Sequence, residues 1–198
     1  TDDMAAQAVN FIKKRATIKG EPFFLYFCHF AVHTPLQGRE EDMEHFENKK
    51  TKGWNNHVSP VYASMVKSLD ESVGSIMQAL KENGLENNTL IVFMSDNGGI
   101  STKIAHQGTY TDNSPLLGGK ANVTEGGIRV PFIVSGPGIE ALESKVPVIG
   151  YDILPTIIDL ADPKFIPSEN IDGGSFKNIL FSKGNGVVNR NYNGLIFH

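Results

Sequence analysis

Residues 89–99 read TLIVFMSDNGG, and they decide the fold. The apolar run from Leu90 to Met94 has the length of a buried strand and is too short for an ordinary helix. Its side chains are apolar on both faces, so the strand belongs to a sheet covered on both sides, as in α/β proteins. The run then gives way to Ser95, Asp96 and Asn97, followed by Gly98 and Gly99. In open α/β sheets, ligands bind beyond the carboxyl ends of the strands, which is where this acid, amide and glycine pair would lie.

The flanking sequence fits that reading. In residues 60–84, Tyr62, Met65, Val66, Leu69, Val73, Ile76, Met77 and Leu80 recur at helical spacing, and Gly84 suits the position just past a helix end. Residues 129–136, RVPFIVSG, predict another strand, and residues 22–30, PFFLYFCHF, an aromatic-rich earlier one. Residues 2–15 predict a helix with an acidic start and a basic end, and 39–50 a short exposed helix. Residues 152–161 predict a helix with an internal proline, and 194–198, GLIFH, a last strand. The predicted fold class is therefore α/β: a mixed, mostly parallel sheet flanked by helices, forming a single domain or part of one.

Composition limits the function classes. The chain has 198 residues, 40% of them hydrophobic and 20% charged, and at this length a globular chain buries roughly 70% of its unfolded surface. A net charge of −4 offers no basic footprint for nucleic acid. Cys28 is the one cysteine, which rules out an internal disulfide and any Cys-x-x-Cys motif. No apolar run approaches the roughly 20 residues of a membrane-spanning helix. Thr1 does not open a signal-peptide pattern, a feature that a processed or partial chain would lack as well.

Three polar clusters sit beside the predicted strands: HFAVHTP, SDNGG and GGKANVTEGGIR. Asp96 and Asn97 supply a carboxylate and an amide carbonyl, hard oxygen donors suited to Ca²⁺ and, less well, Mg²⁺. An ordinary Asx turn explains the same residues, and two donors do not fill a calcium shell of 6–8 oxygens. LLGGKA is not a phosphate-binding Walker loop, because Ser114 stands where its first glycine belongs and Ala121 where its Ser or Thr belongs. Lys120 can meet an anion as a point charge, or simply be a solvated lysine. His33 can donate to an anionic oxygen or shuttle a proton, or merely cap a strand end. His29 would share the face of His33 in a strand, but two histidines without a third ligand make a poor zinc site. His106 is a weaker candidate for touching a substrate.

Taken in order, PFFLYF…HTPL, TLIVFMSDNGG, PLLGGKANVTEGGIRVPFIVSGPG and YDILPTIIDLA resemble the later part of the sulfatase family, within the alkaline-phosphatase-like superfamily. The resemblance covers nearly the whole chain and is most specific over residues 118–131. It implies an alkaline-phosphatase-like fold truncated on its N-terminal side and a sulfuric ester hydrolase assisted by Ca²⁺. Asp96 and Asn97 match the family's late pair of metal ligands. Lys120 and His33 match residues that bind the sulfate group and act in catalysis. Glu125, Gly126, Gly127 and Arg129 match a motif that shapes the loop. The implied partner is a sulfated small molecule or glycan, and family habit implies a periplasmic or extracellular location.

The resemblance also shows what this sequence lacks. Sulfatases attack sulfur with a formylglycine made within a Cys/Ser-x-Pro/Ala-x-Arg motif. Cys28-His29-Phe30 does not fit that motif, and the stretch after Ser135 has the proline but ends in Ile139 instead of arginine. Asp2 and Asp3 are better explained as helix-capping residues than as the family's early aspartate pair. Formylglycine is therefore expected outside this chain, and the chain alone is expected to be inactive. A phosphonate or phosphate ester hydrolase of the same superfamily, or a non-catalytic anion- or glycan-binding module, are the alternatives.

Overall fold

A computed structural model describes residues 1–49, 57, 59–101, 110–164, 171–192 and 194–197. They divide into two compact units, Thr1–Thr89 with Asn97–Pro131 and Leu90–Asp96 with Phe132–His198.

The first unit is helical. α1 (Asp2–Ala16), α2 (Glu40–Glu47) and α3 (Pro60–Glu82) form where the sequence predicts them, and α1 and α2 both pack on α3. The ends of α3 follow from local chemistry. Pro60 takes the first position, where no N–H is needed, and Ser59 Oγ accepts from the Tyr62 N–H at 3.3 Å. At the other end Gly84 adopts φ +68°. The Gly84 N–H donates to Lys81 O and the Leu85 N–H to Leu80 O, the two bonds of a Schellman motif.

The buried face of α3 differs from the predicted apolar one. Met65 and Leu80 are buried, but Val66 and Met77 are exposed, and Ser64, Ser68 and Ser72 are buried in their place. The serines serve the chain segments laid against the helix. Ser64 Oγ accepts from the Arg39 N–H at 2.8 Å, and Ser72 Oγ lies 3.2 Å from His29 Nε2. A buried backbone N–H requires a partner, and a hydroxyl supplies one where leucine cannot. Asp2 and Asp3 do not cap α1, whose N-cap is Thr1 without a side-chain bond. Instead Asp2 pairs with Arg39 at 3.2 Å and Asp3 accepts from Gln7 at 2.7 Å. Within α2, Asp42 is buried and paired with Lys67 at 2.6 Å. Lys67 and Arg39 also pair with Glu71, and these two cations hold its carboxyl below the usual carboxylate range.

Residues 22–30 do not form the predicted strand. Their exposure alternates, with Phe24 at 67%, Tyr26 at 80% and Phe30 at 80%, while Phe23, Leu25, Phe27 and His29 are half-buried. The period of two is that of a strand, but no described segment hydrogen-bonds alongside it, and a strand is defined by its ladder. Phe23 packs edge-on against Phe11 of α1, with ring centroids 5.7 Å apart.

The half-buried His29 gives the first unit a pH dependence. Burial pushes its pKa below the ordinary imidazole value. The unfolded chain takes up this proton near pH ~6.5, whereas the folded chain takes it up only at lower pH. Its contribution is therefore fully present above that value and is lost as pH falls through the folded pKa. Thermal melts between pH 7.5 and 5 are expected to show a falling Tm, with a shallower fall in His29→Gln. An unchanged slope in that variant would contradict this assignment.

The second unit contains β1 (Ile91–Met94) and β2 (Phe132–Ser135), paired antiparallel with Ile91 opposite Ser135 and Met94 opposite Phe132. This is the sheet of the described residues; the predicted parallel strands are not among them, and residues 194–197 are not a strand. Phe132 and Val134 point to a small core of Phe176, Ile179 and Val188, to which α5 (Ile153–Ala161) and α6 (Lys177–Phe181) contribute. Pro155 falls in the first turn of α5, where its missing N–H costs no helical bond.

At the centre of this unit Asp152 is fully buried. Its carboxylate accepts the N–H groups of Ile149 (2.9 Å) and Gly174 (3.0 Å) and a two-pronged contact from the Arg190 guanidinium. Thr156 continues the network, donating to Asp152 O at 2.7 Å and accepting from the Phe176 N–H at 3.0 Å. The stretch YDILPT therefore encodes a buried junction as well as a helix start.

Candidate functional site

Three glycine pairs knit the loop beginning at Asn97 to residues 117–127. The Gly98 N–H donates to Gly127 O at 2.9 Å, the Lys120 N–H to Gly99 O at 3.0 Å, and the Gly126 N–H to Leu117 O at 2.8 Å. The backbones meet at distances that exclude side chains. A Cβ on Gly98 would lie 1.8 Å from Gly126 O, one on Gly127 2.0 Å from Asn122 O, and one on Gly119 2.4 Å from Gly99 O. Gly118 also needs its freedom, since it adopts φ +78°. The glycines that flank Asn97 and Lys120 are therefore contact surfaces, and α4 (Glu125–Ile128) presents its buried Gly126 and Gly127 to them. Arg129, just past the end of that short helix, forms an exposed ion pair with Glu125 at 3.1 Å.

A second set of residues braces this cluster. Asn113 Nδ2 donates to Gly99 O at 2.9 Å and to Gly118 O at 3.1 Å, spanning the two loops. The buried Thr111 donates to Ile100 O at 2.7 Å. The Asp112 N–H donates to His57 Nε2 at 2.7 Å, and the Asp112 carboxylate accepts from the Ser114 N–H at 2.8 Å. Hydrogen bonds from Ser114 and its backbone hold the Asp112 carboxyl below its ordinary value. Sequence reasoning missed Thr111, Asn113 and His57. The partners of Thr111 and Asn113 are carbonyls of the main chain, which no side-chain pattern reveals, and the one available signal was the turn-forming run Asp112-Asn113-Ser114-Pro115.

The predicted site residues divide as follows. Lys120 is exposed, and its backbone is bonded to the loop that begins at Asn97. Asn97 is half-buried, and Asp96, one peptide bond before it, is exposed at the end of the segment containing β1. His33 is exposed in a turn closed by its N–H on Phe30 O, with its Nδ1 2.8 Å from Thr34 O. No bond joins it to the glycine cluster among the described residues. His29 does not share its face, because the expected strand is absent and His29 turns to Ser72. His106 lies outside the described residues.

Asp96 and Asn97 offer hard oxygens, and Asp96 is open to solvent, so the chemistry fits a hydrated divalent cation at partial coordination. No group of three or more His, Cys, Asp or Glu side chains converges among the described residues.

Comparison with known proteins gives the family. The family model described as Sulfatase matches residues 1–163. A sulfatase of Formosa agariphila is 32% identical over 194 residues, which cover 91% of this chain and 33% of that protein. The steryl-sulfatase of Rattus norvegicus is 31% identical over 202 residues, covering 100% of this chain and 32% of its own. Among solved structures, Ps i-CgsB in complex with k-i-k-neocarrahexaose superposes with a TM-score of 0.76 at 38% identity, over 92% of this chain and 38% of that one. PsFucS1 sulfatase from Pseudoalteromonas sp. gives 0.73 at 25% identity, over 93% and 35%. The chain thus spans about a third of the length of the curated relatives it matches. With the glycine-knit loops and a family match over most of its length, the chain belongs to the sulfatase family.

Proposed function

We propose that the protein carrying this chain is a calcium-assisted sulfuric ester hydrolase acting on sulfated glycans, with its formylglycine nucleophile contributed from outside residues 1–198. The observation that carries the proposal is the bond from the Lys120 N–H to Gly99 O, which ties the sulfate-binding lysine's loop to the loop beginning at Asn97. A solved neighbour at 38% identity holds an oligosaccharide, which favours a glycan as the ester's organic part. A polymeric substrate in turn suits a periplasmic or extracellular site of action. The family match favours sulfate over phosphate esters.

In this reading Asp96 and Asn97 supply two of the metal's oxygen ligands. The bound calcium ion would act as a Lewis acid and template for the sulfate oxygens. Lys120 sets an ammonium against the charge that develops on those oxygens as sulfur is attacked, and such placement is the larger part of catalysis for an anionic centre. His33, open to solvent, donates a hydrogen bond to a sulfate oxygen or a proton to the departing alcohol. His106 belongs to the same proposed substrate-binding set.

The test uses the full-length protein with a sulfated oligosaccharide and an aryl sulfate. Lys120→Ala is expected to lower kcat/KM by about 10²–10³-fold. Asp96→Ala is expected to weaken calcium binding, measured by calorimetry, by at least about 100-fold. Turnover that survives chelation and both substitutions would overturn the proposal.

A further inference from the structure

We propose that Asn113 is a positioning residue for this chemistry, acting through Lys120. The inference rests on the reading above, in which Lys120 meets the sulfate group. Asn113 carries one planar NH₂ with two hydrogens in fixed geometry, and both are used. One goes to Gly99 O at 2.9 Å and the other to Gly118 O at 3.1 Å. Gly99 lies two residues after Asn97, and Gly118 two residues before Lys120. A rigid amide holding one carbonyl from each loop fixes the separation and register of the two loops.

The surroundings are arranged around that amide. Gly99 O accepts a second bond, from the Lys120 N–H at 3.0 Å, so the lysine's own backbone and the Asn113 side chain converge on one oxygen. Gly119, between the two anchored positions, passes so close that a Cβ there would lie 2.9 Å from Asn113 Nδ2. Asn113 is itself held on both sides. The Asp112 N–H is bonded to His57 Nε2 at 2.7 Å, and the Asp112 carboxylate takes the Ser114 N–H at 2.8 Å. Neither His57 nor Asn113 needs to touch a substrate. Their effect is to fix where the Lys120 side chain starts, and a misplacement of about 1 Å in a reacting constellation costs about 10²-fold in rate.

Asn113→Asp separates positioning from bulk. It keeps the size but replaces both donors with an acceptor that faces two carbonyl oxygens. The experiment is a double-mutant cycle in the full-length protein, comparing Asn113→Asp, Lys120→Ala and the pair, with kcat and KM for an aryl sulfate and a melting curve for each. Asn113→Asp alone is expected to lower kcat/KM by about 10²-fold, mostly in kcat. On the Lys120→Ala background it is expected to lower it by less than about 3-fold, because the group it positions is gone. Should Asn113→Asp fail to fold, Asn113→Ser serves in the same cycle.

The outcomes are distinguishable. Lys120→Ala with full activity would remove the reading of Lys120 and with it this inference. Loss in Lys120→Ala combined with an undiminished Asn113→Asp loss in the pair would overturn the positioning role and leave the function standing. Full activity in Asn113→Asp would also overturn it.

Discussion

Gly98→Ala is expected to destabilise the protein by more than about 3 kcal/mol, the upper range for forcing atoms into a packed interior. The added methyl would lie 1.8 Å from Gly126 O and 2.8 Å from Gly126 C. These are backbone atoms in a buried turn, so no side chain can rotate away to relieve the clash. Relief requires separating the two loops, which breaks the bond from the Gly98 N–H to Gly127 O. Urea denaturation of the full-length protein measures the loss, and activity should fall with it because the same movement displaces Lys120. Gly74→Ala is the matched control. Gly74 lies within α3 with open space around it, so the same substitution there should stabilise by roughly 0.5–1 kcal/mol. Equal effects at the two positions would show that the close approach at Gly98 is not what holds the loops.

Arg190→Met is the second large effect expected. It removes the cation from a carboxylate that is fully buried, and breaking such a pair from one side costs about 3–5 kcal/mol. The carboxylate would keep the N–H groups of Ile149 and Gly174 but lose its countercharge, and Pro147 O would lose the guanidinium at 3.0 Å. Asp152→Asn with Arg190→Met should cost clearly less than the sum of the two single changes, because the pair is replaced instead of split. Denaturation midpoints of the four proteins decide this, and strictly additive losses would rule out the pair as a coupled unit.

Much of the fold was legible because its signals are local. The start of α3 lies in Ser59-Pro60 and its end in Gly84, and the strands β1 and β2 lie within apolar runs bounded by polar residues. The helix α5 was legible too, with its proline falling in the first turn. What failed depended on partners. Residues 22–30 have the composition of a strand, but strand formation needs a neighbouring chain, and the sequence of one segment does not carry its neighbour. The buried face of α3 was misassigned because Ser64 and Ser72 read as polar surface, whereas each is buried against a group from a distant segment, the Arg39 N–H and the His29 ring. In the candidate site, Asp96, Asn97 and Lys120 stood out as side chains with chemistry. The bracing by Asn113 was hidden, since glycine carbonyls look alike wherever they occur in a sequence.

The ion pair of the second unit also bears on where the chain can be cut. The family match ends at residue 163, but the carboxylate at 152 finds its cation at 190 and one of its N–H donors at 174. A polypeptide cut at the edge of the match would retain the acid and discard its counterion. A piece of the protein meant to keep this pair must therefore run past Arg190.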